Sequence, residues 1–126
     1  MNKFDLEERL INFAVSIVEI DNSMTKTRAG SHLGNQLLRS GTSPALNYGE
    51  AQSGESRKDF IHKIKIVLKE LRETLVCLKI IQRTKLVHNQ DQIVCLMKEN
   101  NELISIFVKS VETAMKKLDE ESTKKN

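Results

Sequence analysis

The sequence has few residues that make turns and few aromatic side chains. In 126 residues there are one Pro, five Gly and no Trp, and aromatic residues make up 4% of the chain. A β-sandwich or barrel turns about every 8–12 residues, and those turns depend on Gly and Pro. The sequence also lacks the run of roughly 18 apolar residues that a membrane-spanning helix needs. These absences disfavour an all-β fold and exclude a membrane span.

Residues that commonly bind metal ions are also scarce and scattered. Cys77 and Cys95 form no CxxC pair, and the three histidines fall in different predicted elements (His32, His62 and His88). No ExxH, GxGxxG or phosphate-binding loop motif occurs. Each cysteine lies in an apolar helical stretch, where a free thiol behaves as a small hydrophobe. We therefore expect buried, inert thiols, no metal or cofactor, and no enzymatic activity.

Apolar residues recur at alternating spacings of three and four along most of the chain, beginning with Leu6, Leu10 and Phe13. This period is typical of amphipathic helices, and it fits a chain with 39% hydrophobic and 29% charged residues. Four helices are predicted, at about 4–24, 31–53, 55–85 and 91–119. Ser56 is the expected N-terminal cap of the third, with Asp59 three residues on.

The connections between the predicted helices are short and polar, which predicts that sequential helices are antiparallel neighbours. The expected fold is therefore all-α, an antiparallel up-down four-helix bundle, formed by a single domain over residues 1–118. Residues 119–126 have no apolar side chain to contribute to a core, and we expect them to be a disordered tail. The first eight residues are acidic and amphipathic, unlike a signal peptide, and we expect a cytoplasmic protein.

The second predicted helix contains Pro44, which costs about 3 kcal/mol in a helix interior. A break at Ser43 would leave two short pieces, whereas a kinked helix keeps one continuous element. We predict one helix over 31–53 with a kink at Pro44. Four small residues on its surface would let a neighbouring helix approach closely: Gly34, Gly41, Ala45 and Gly49.

Polar residues advance by three and four along the same helix. With Arg39 beside them, they form what we call the polar row: Gln36, Arg39, Ser40, Ser43, Asn47 and Glu50. The row fits either a ligand or nucleic-acid surface or a hydrogen-bonded seam against another helix or subunit, and we favour packing or subunit contact. A small-molecule hydrolase built on Ser40 and Asn47 is disfavoured, because no His or Lys is spaced to act as a general base.

A row of basic residues follows the third predicted helix. Its members, which we call the basic row, are Lys58, Lys65, Lys69, Arg72, Lys79 and Arg83, interrupted by Val76. Residues 50–89 hold nine basic against five acidic residues, more basic excess than the whole chain's net charge of +3. Such a row fits binding to the phosphates of a nucleic acid. It also fits a merely solvated face that Glu70 and Glu73 partly neutralise.

The stretch from Gln36 to Ala51 has the pattern QLxRSxxSxxxNxxE. It resembles the signature of the four-helix-bundle proteins encoded in bacterial 23S ribosomal RNA intervening sequences, and the resemblance extends over about 5–118. Ala51 stands where members often carry Gly. The resemblance implies a four-helix bundle that assembles into a ring, commonly a homopentamer. The chain is also similar to the accessory variability determinant of diversity-generating retroelements, a basic pentameric barrel that engages nucleic acid.

Two functions follow from the residues and the resemblance together. The first is a non-enzymatic, ring-forming scaffold that binds RNA or DNA through the basic row. The alternative is an adaptor that binds a partner enzyme through exposed apolar residues such as Val76 or Tyr48 and does not touch nucleic acid.

Overall fold

The chain folds into four helices and, within the described residues, no strand. The computed structural model describes residues 1–54 and 56–125, without the side chain of Lys125. The helices are α1 (Lys3–Asn22), α2 (Arg28–Gln52), α3 (Arg57–Thr84) and α4 (Gln90–Lys125). The predicted all-α fold with four helices is confirmed. Glu55, which the prediction included in the third helix, and Asn126 lie outside the described residues.

Each helix packs against two others, so that α1 and α3 occupy opposite corners of the bundle and α2 and α4 occupy the other two. The start of α2 contacts the end of α3, and the end of α2 contacts the start of α3. Leu33, near the start of α2, faces Cys77 near the end of α3, whereas Glu50 near the end of α2 pairs with Lys63 near the start of α3. The two helices are therefore antiparallel. Within the described residues, no helix is long and apolar enough to cross a membrane.

The core is built from the apolar stripes that the spacing predicted. Leu10, Ile17 and Ile20 of α1 are fully buried, and Phe13 is nearly so. Across the core, the Tyr48 ring of α2 meets the Phe107 ring of α4 edge-on, with centroids 5.6 Å apart. Burying one large apolar side chain contributes about 1.5–3 kcal/mol, so these stripes supply most of the drive to fold.

Helix boundaries are set by side-chain caps. The Ser56 hydroxyl accepts the Asp59 N–H at 3.1 Å, which confirms the predicted cap of α3. The Thr27 hydroxyl accepts the Gly30 N–H at 3.0 Å, so α2 begins three residues earlier than predicted. At the other end of α3, Lys85 adopts the left-handed conformation with φ of 55°.

Helix α2 passes through Pro44 without interruption, since the helix covers 25 residues from Arg28 to Gln52. The prediction of one helix rather than two is confirmed. Pro44 is buried, so packing on neighbouring helices offsets the hydrogen bond that proline cannot donate. The kink itself stays a prediction.

Small residues on α2 bring it close to α1. A Cβ added to Gly41 would lie 2.6 Å from Cγ1 of Ile17, and one added to Gly34 would lie 2.4 Å from Oδ1 of Asp21. The approach at Gly41 therefore requires glycine, because the overlap is with the branched core side chain of Ile17, whereas the carboxylate at the end of the Asp21 side chain could move away from a methyl group at Gly34. A Cβ at Gly49 would meet only Oε1 of Glu7, at 4.0 Å.

The C-terminal segment differs from the prediction. Residues 119–125 continue α4 as a helix rather than forming the expected disordered tail. Arg57, in the first turn of α3, donates to Oε1 of Glu121 at 2.8 Å. The Lys and Glu residues of this segment favour helix, and the partly exposed ion pair with α3 adds a small stabilisation, since no apolar side chain is buried there.

Gly41 provides a test of the close approach between α1 and α2. We expect Gly41→Ala to lower the free energy of unfolding by about 1–3 kcal/mol, because the new methyl group would overlap Ile17. Gly49→Ala is the matched control, and its higher helix propensity should raise the free energy of unfolding by up to about 1 kcal/mol. Urea denaturation followed by circular dichroism measures both. Equal losses in the two variants would contradict the close approach.

Candidate nucleic-acid interface

The basic row lies along the outer face of α3. All six members are exposed to solvent: Lys58, Lys65, Lys69, Arg72, Lys79 and Arg83. At 1.5 Å per residue, the row from Lys58 to Arg83 extends over roughly 37 Å. Within the part of the chain that the structure describes, none of the six takes part in an ion pair. The face therefore presents basic groups that are free to bind an anion.

The two acidic residues expected to neutralise the row are bonded to α2. Nη1 of Arg39 donates to Oε2 of Glu70 at 3.0 Å, and Nη2 donates to Oε2 of Glu73 at 2.7 Å. The hydrogen bond from Arg39 is the main cause that lowers the pKa of Glu73, with a smaller contribution from the positive charge of Lys69. The bond to Glu73 in turn raises the pKa of Arg39. Arg39 thus offsets one of the two negative charges that would otherwise weaken the basic face.

A second contact between α2 and α3 lies next to Arg39 and is buried. The hydroxyl groups of Ser40 and Thr74 are hydrogen-bonded at 3.0 Å, and Thr74 also donates to the carbonyl of Glu70 at 2.8 Å. An unpaired buried hydroxyl would cost about 1–3 kcal/mol. Ser40 is therefore held against α3.

The other members of the polar row have three different surroundings. Asn47 donates to the hydroxyl of Ser43 at 2.8 Å, within α2. Glu50 accepts a hydrogen bond from Lys63 of α3. Gln36 is exposed, and none of the described residues is hydrogen-bonded to its amide. The structure thus places three of the six against α3, namely Arg39, Ser40 and Glu50.

The polar row and the basic row meet at one open groove between α2 and α3. The groove has a volume of about 480 Å³ and is lined by Gln36, Arg39 and Ser40 from α2 and by Arg72, Glu73 and Val76 from α3. The periodicity of each helix predicted the two rows separately. Their meeting depends on the register between α2 and α3, which the sequence pattern does not reveal.

The cysteines differ in their exposure. Cys77 is buried, which raises the pKa of its thiol, and its Sγ–H points at the carbonyl of Leu33 at 3.5 Å. Cys95 is exposed, so the prediction that both thiols are buried is wrong for this residue. Cys95 lies on α4 between the core positions Ile93 and Leu96, where the helix turns it outward. Among the described residues, no group of three or more His, Cys, Asp or Glu could hold a metal ion.

Sequence reasoning missed a second apolar stripe on α1 that faces solvent. Its members, which we call the α1 stripe, are Phe4, Ile11, Val15 and Val18, with exposed fractions of 68, 39, 50 and 41%. They recur at spacings of seven, four and three. This second helical periodicity, beside that of the core stripe, is the feature of the sequence that could have predicted them. Conversely, Tyr48 is only 5% exposed, so its predicted use as an exposed anchor is wrong. Its ring fills the core against Phe107.

Comparison with known proteins supports the fold and the signature together. The chain matches the family described as 23S rRNA-intervening sequence protein over residues 2–109. The chain belongs to this family. Among solved structures, this intervening-sequence protein is similar to a protein of unknown function from the S23 ribosomal protein family of Bacteroides thetaiotaomicron. The two are 30% identical with a TM-score of 0.77, and the match covers 84% of this chain and 97% of the other. No curated protein matches the chain.

The Arg39–Glu73 contact predicts how stability depends on pH. Because the pKa of Glu73 is lowered from its ordinary 4.5 in the folded protein, its contribution is present above pH 4.5 and is lost as the pH falls through the lowered value. Arg39→Gln removes the partner, so the variant should lose less stability between about pH 7 and pH 3 than the parent protein. The difference should be below about 1 kcal/mol, because the pair is partly exposed.

Urea denaturation at a series of pH values measures this difference. Lys79→Gln is the control, because it removes the same charge from an exposed and unpaired position and should leave the pH dependence nearly unchanged. A pH dependence of Arg39→Gln that matches the parent's would contradict the role given to Arg39.

Proposed function

We propose that this 23S rRNA-intervening sequence protein is a non-enzymatic scaffold that assembles into a ring and binds RNA or DNA through the basic row of α3. The observation that carries the proposal is the exposure of all six basic side chains on one helix face, without an ion-pair partner among the described residues. Such a row displaces the counterions that are condensed on the phosphates of a nucleic acid, which supplies sequence-independent affinity.

The charge distribution supports the same surface. The two acidic residues nearest the middle of the row, Glu70 and Glu73, are bonded to Arg39, so the outward side of α3 is left to Lys and Arg. In a ring, symmetry would repeat this row once for each subunit, and a nucleic acid that touches several rows at once binds more tightly than a single row allows.

A charge-removal experiment tests nucleic-acid binding. Replacing Lys65, Lys69, Arg72 and Lys79 by Gln should weaken binding to a structured RNA by about tenfold or more, and the dependence of affinity on salt should become shallower. Fluorescence anisotropy at two salt concentrations measures both quantities. The matched control replaces four exposed lysines of α4 by Gln: Lys98, Lys109, Lys116 and Lys117.

The control protein has the same net charge as the row variant. A difference in RNA affinity between the two therefore reports the position of the removed charges and not their number. Unchanged RNA affinity in the row variant would contradict the proposal. So would an equal loss of affinity in both variants, or binding by the parent protein that does not depend on salt.

The α1 stripe supports assembly into a ring. Four apolar side chains on one exposed helix face, Phe4, Ile11, Val15 and Val18, are typical of a protein interface. The stripe is flanked by Glu7, Glu8 and Glu19, and each would face its own copy and repel it if two α1 helices paired in parallel about a two-fold axis. A head-to-tail contact with a different surface of the next subunit avoids this repulsion, and such contacts close into rings. We propose a homopentamer, as the family resemblance implies.

A substitution in the α1 stripe tests assembly. We expect the parent protein to have a mass of roughly five subunits by light scattering, and Val15→Glu to have the 14.4 kDa mass of one chain. The reason is that a buried, unpaired carboxylate strongly opposes association. Val94→Glu, at a 52% exposed valine of α4, is the control and should remain assembled. A monomeric parent protein would contradict the ring.

A protein-interaction adaptor is the second candidate, and Val76 favours it. This side chain is 58% exposed in the middle of α3 and is large enough to anchor a partner. The other proposed anchor, Tyr48, is buried. An adaptor would keep its partner enzyme after nuclease treatment of the lysate, whereas the nucleic-acid scaffold would lose partners that are bridged by RNA or DNA.

A further inference from the structure

The groove between α2 and α3 interrupts the basic row near its middle. Val76 lies in the row and also lines the groove, and Arg72, one turn earlier on the same face, does the same. By helix rise, Lys69 and Lys79 lie about 5 Å before Arg72 and about 5 Å beyond Val76 along α3. A polyanion that follows the row must therefore pass directly over the groove.

The lining of the groove combines fixed and free groups. Arg39 is held by Glu70 and Glu73, and Ser40 is hydrogen-bonded to Thr74, so these side chains form a rigid wall. Gln36 and Arg72 are exposed, and neither is hydrogen-bonded to any described side chain. The groove thus offers one amide and one guanidinium group that are free to bind.

Apolar surface completes the groove. Val76 is 58% exposed, and its apolar side chain forms no hydrogen bond with water, so it is available to contact an apolar surface of a ligand. The groove volume of about 480 Å³ lies within the range of small-ligand sites. The occupant that fits is flat, has apolar faces and a hydrogen-bonding edge, and is attached to a chain of negative charges.

We propose that the groove accepts one unpaired base of a bound nucleic acid while the basic row holds the phosphates on either side. The guanidinium plane of Arg72 stacks on the base, as arginine does in RNA-binding proteins that lack aromatic residues at the site. Val76 contacts the edge or face of the base, and the amide of Gln36, which both donates and accepts, bonds its polar edge. This inference rests on the proposed function and adds a preference for single-stranded or bulged nucleic acid.

A regular duplex cannot use the groove, because its bases are paired and stacked inside the helix. The expected result for the parent protein is therefore tighter binding to a single-stranded RNA of mixed sequence than to the duplex formed with its complement, at equal salt. The duplex has the higher charge density, so an electrostatic row alone would give the opposite order.

The variant that tests the groove removes Gln36 and Val76 side chains without changing charge. We expect the double variant Gln36→Ala and Val76→Ala to bind single-stranded RNA about tenfold more weakly, and to bind the duplex with unchanged affinity. Val94→Ala is the matched control, at a valine of similar exposure on α4. Both positions of the double variant are exposed, and circular dichroism with thermal melting verifies that the fold is retained.

The failures of the two proposals are distinguishable. Salt-dependent binding with no preference for single strands, or a double variant that matches the parent protein on both probes, would overturn the groove inference and leave the basic row standing. A parent protein that binds neither probe would overturn both.

Discussion

The contact of Arg39 with Glu70 and Glu73 connects the fold to the surface that we propose for function. Arg39 bridges α2 to two successive turns of α3, at 3.0 and 2.7 Å. The same contact pairs the two carboxylates that would otherwise lie free among the lysines of α3. The pair is partly exposed, so its contribution to stability is small. Its larger effect is on the electrostatic field, because Arg39 offsets one of the two negative charges from the side of α2 and the six members of the basic row remain without an ion-pair partner among the described residues.

Residues of the polar row show how far helical periodicity can predict a site. The spacing of Ser40 and Arg39 placed them on one edge of α2, and the structure puts that edge against α3. The spacing did not identify Thr74 as the partner of Ser40. Which residue of α3 faces Ser40 depends on the register between the two helices, and the spacing within α2 carries no information on that register. Cys95 and Tyr48 were misplaced for a related reason. Cys95 lies in an apolar stretch and Tyr48 in a mixed one, and in both cases the rotation of the helix in the bundle decides which side chains reach the core.

Pro44 illustrates the balance between local propensity and packing. Its cost of about 3 kcal/mol in a helix interior argues for a break, and local rules alone would end α2 there. Continuity keeps Ser40 and Glu50 on opposite sides of the proline in contact with the same helix. It also keeps Tyr48 in the core. The tertiary contacts on both sides of Pro44 therefore outweigh the local penalty. Helix propensity at Pro44 alone does not predict this outcome, because it depends on the spacing of core residues along the whole helix. At the C-terminus the opposite error occurred, because the polar composition of 119–125 concealed the helix propensity of its Glu and Lys residues.

The placement of α1 and α3 at opposite corners makes the proposed assembly compatible with the proposed nucleic-acid binding. An apolar stripe and a basic row on adjacent helices would compete, since a subunit that covered one would also cover much of the other. In this bundle α1 and α3 make no contact with each other, so covering the α1 stripe of a subunit would not in itself cover the groove and the basic row of that same subunit. The acidic side chains beside the α1 stripe would also repel nucleic acid from the assembly surface. The separation of opposite charges on opposite corners would thus direct each of the two proposed partners to a different helix.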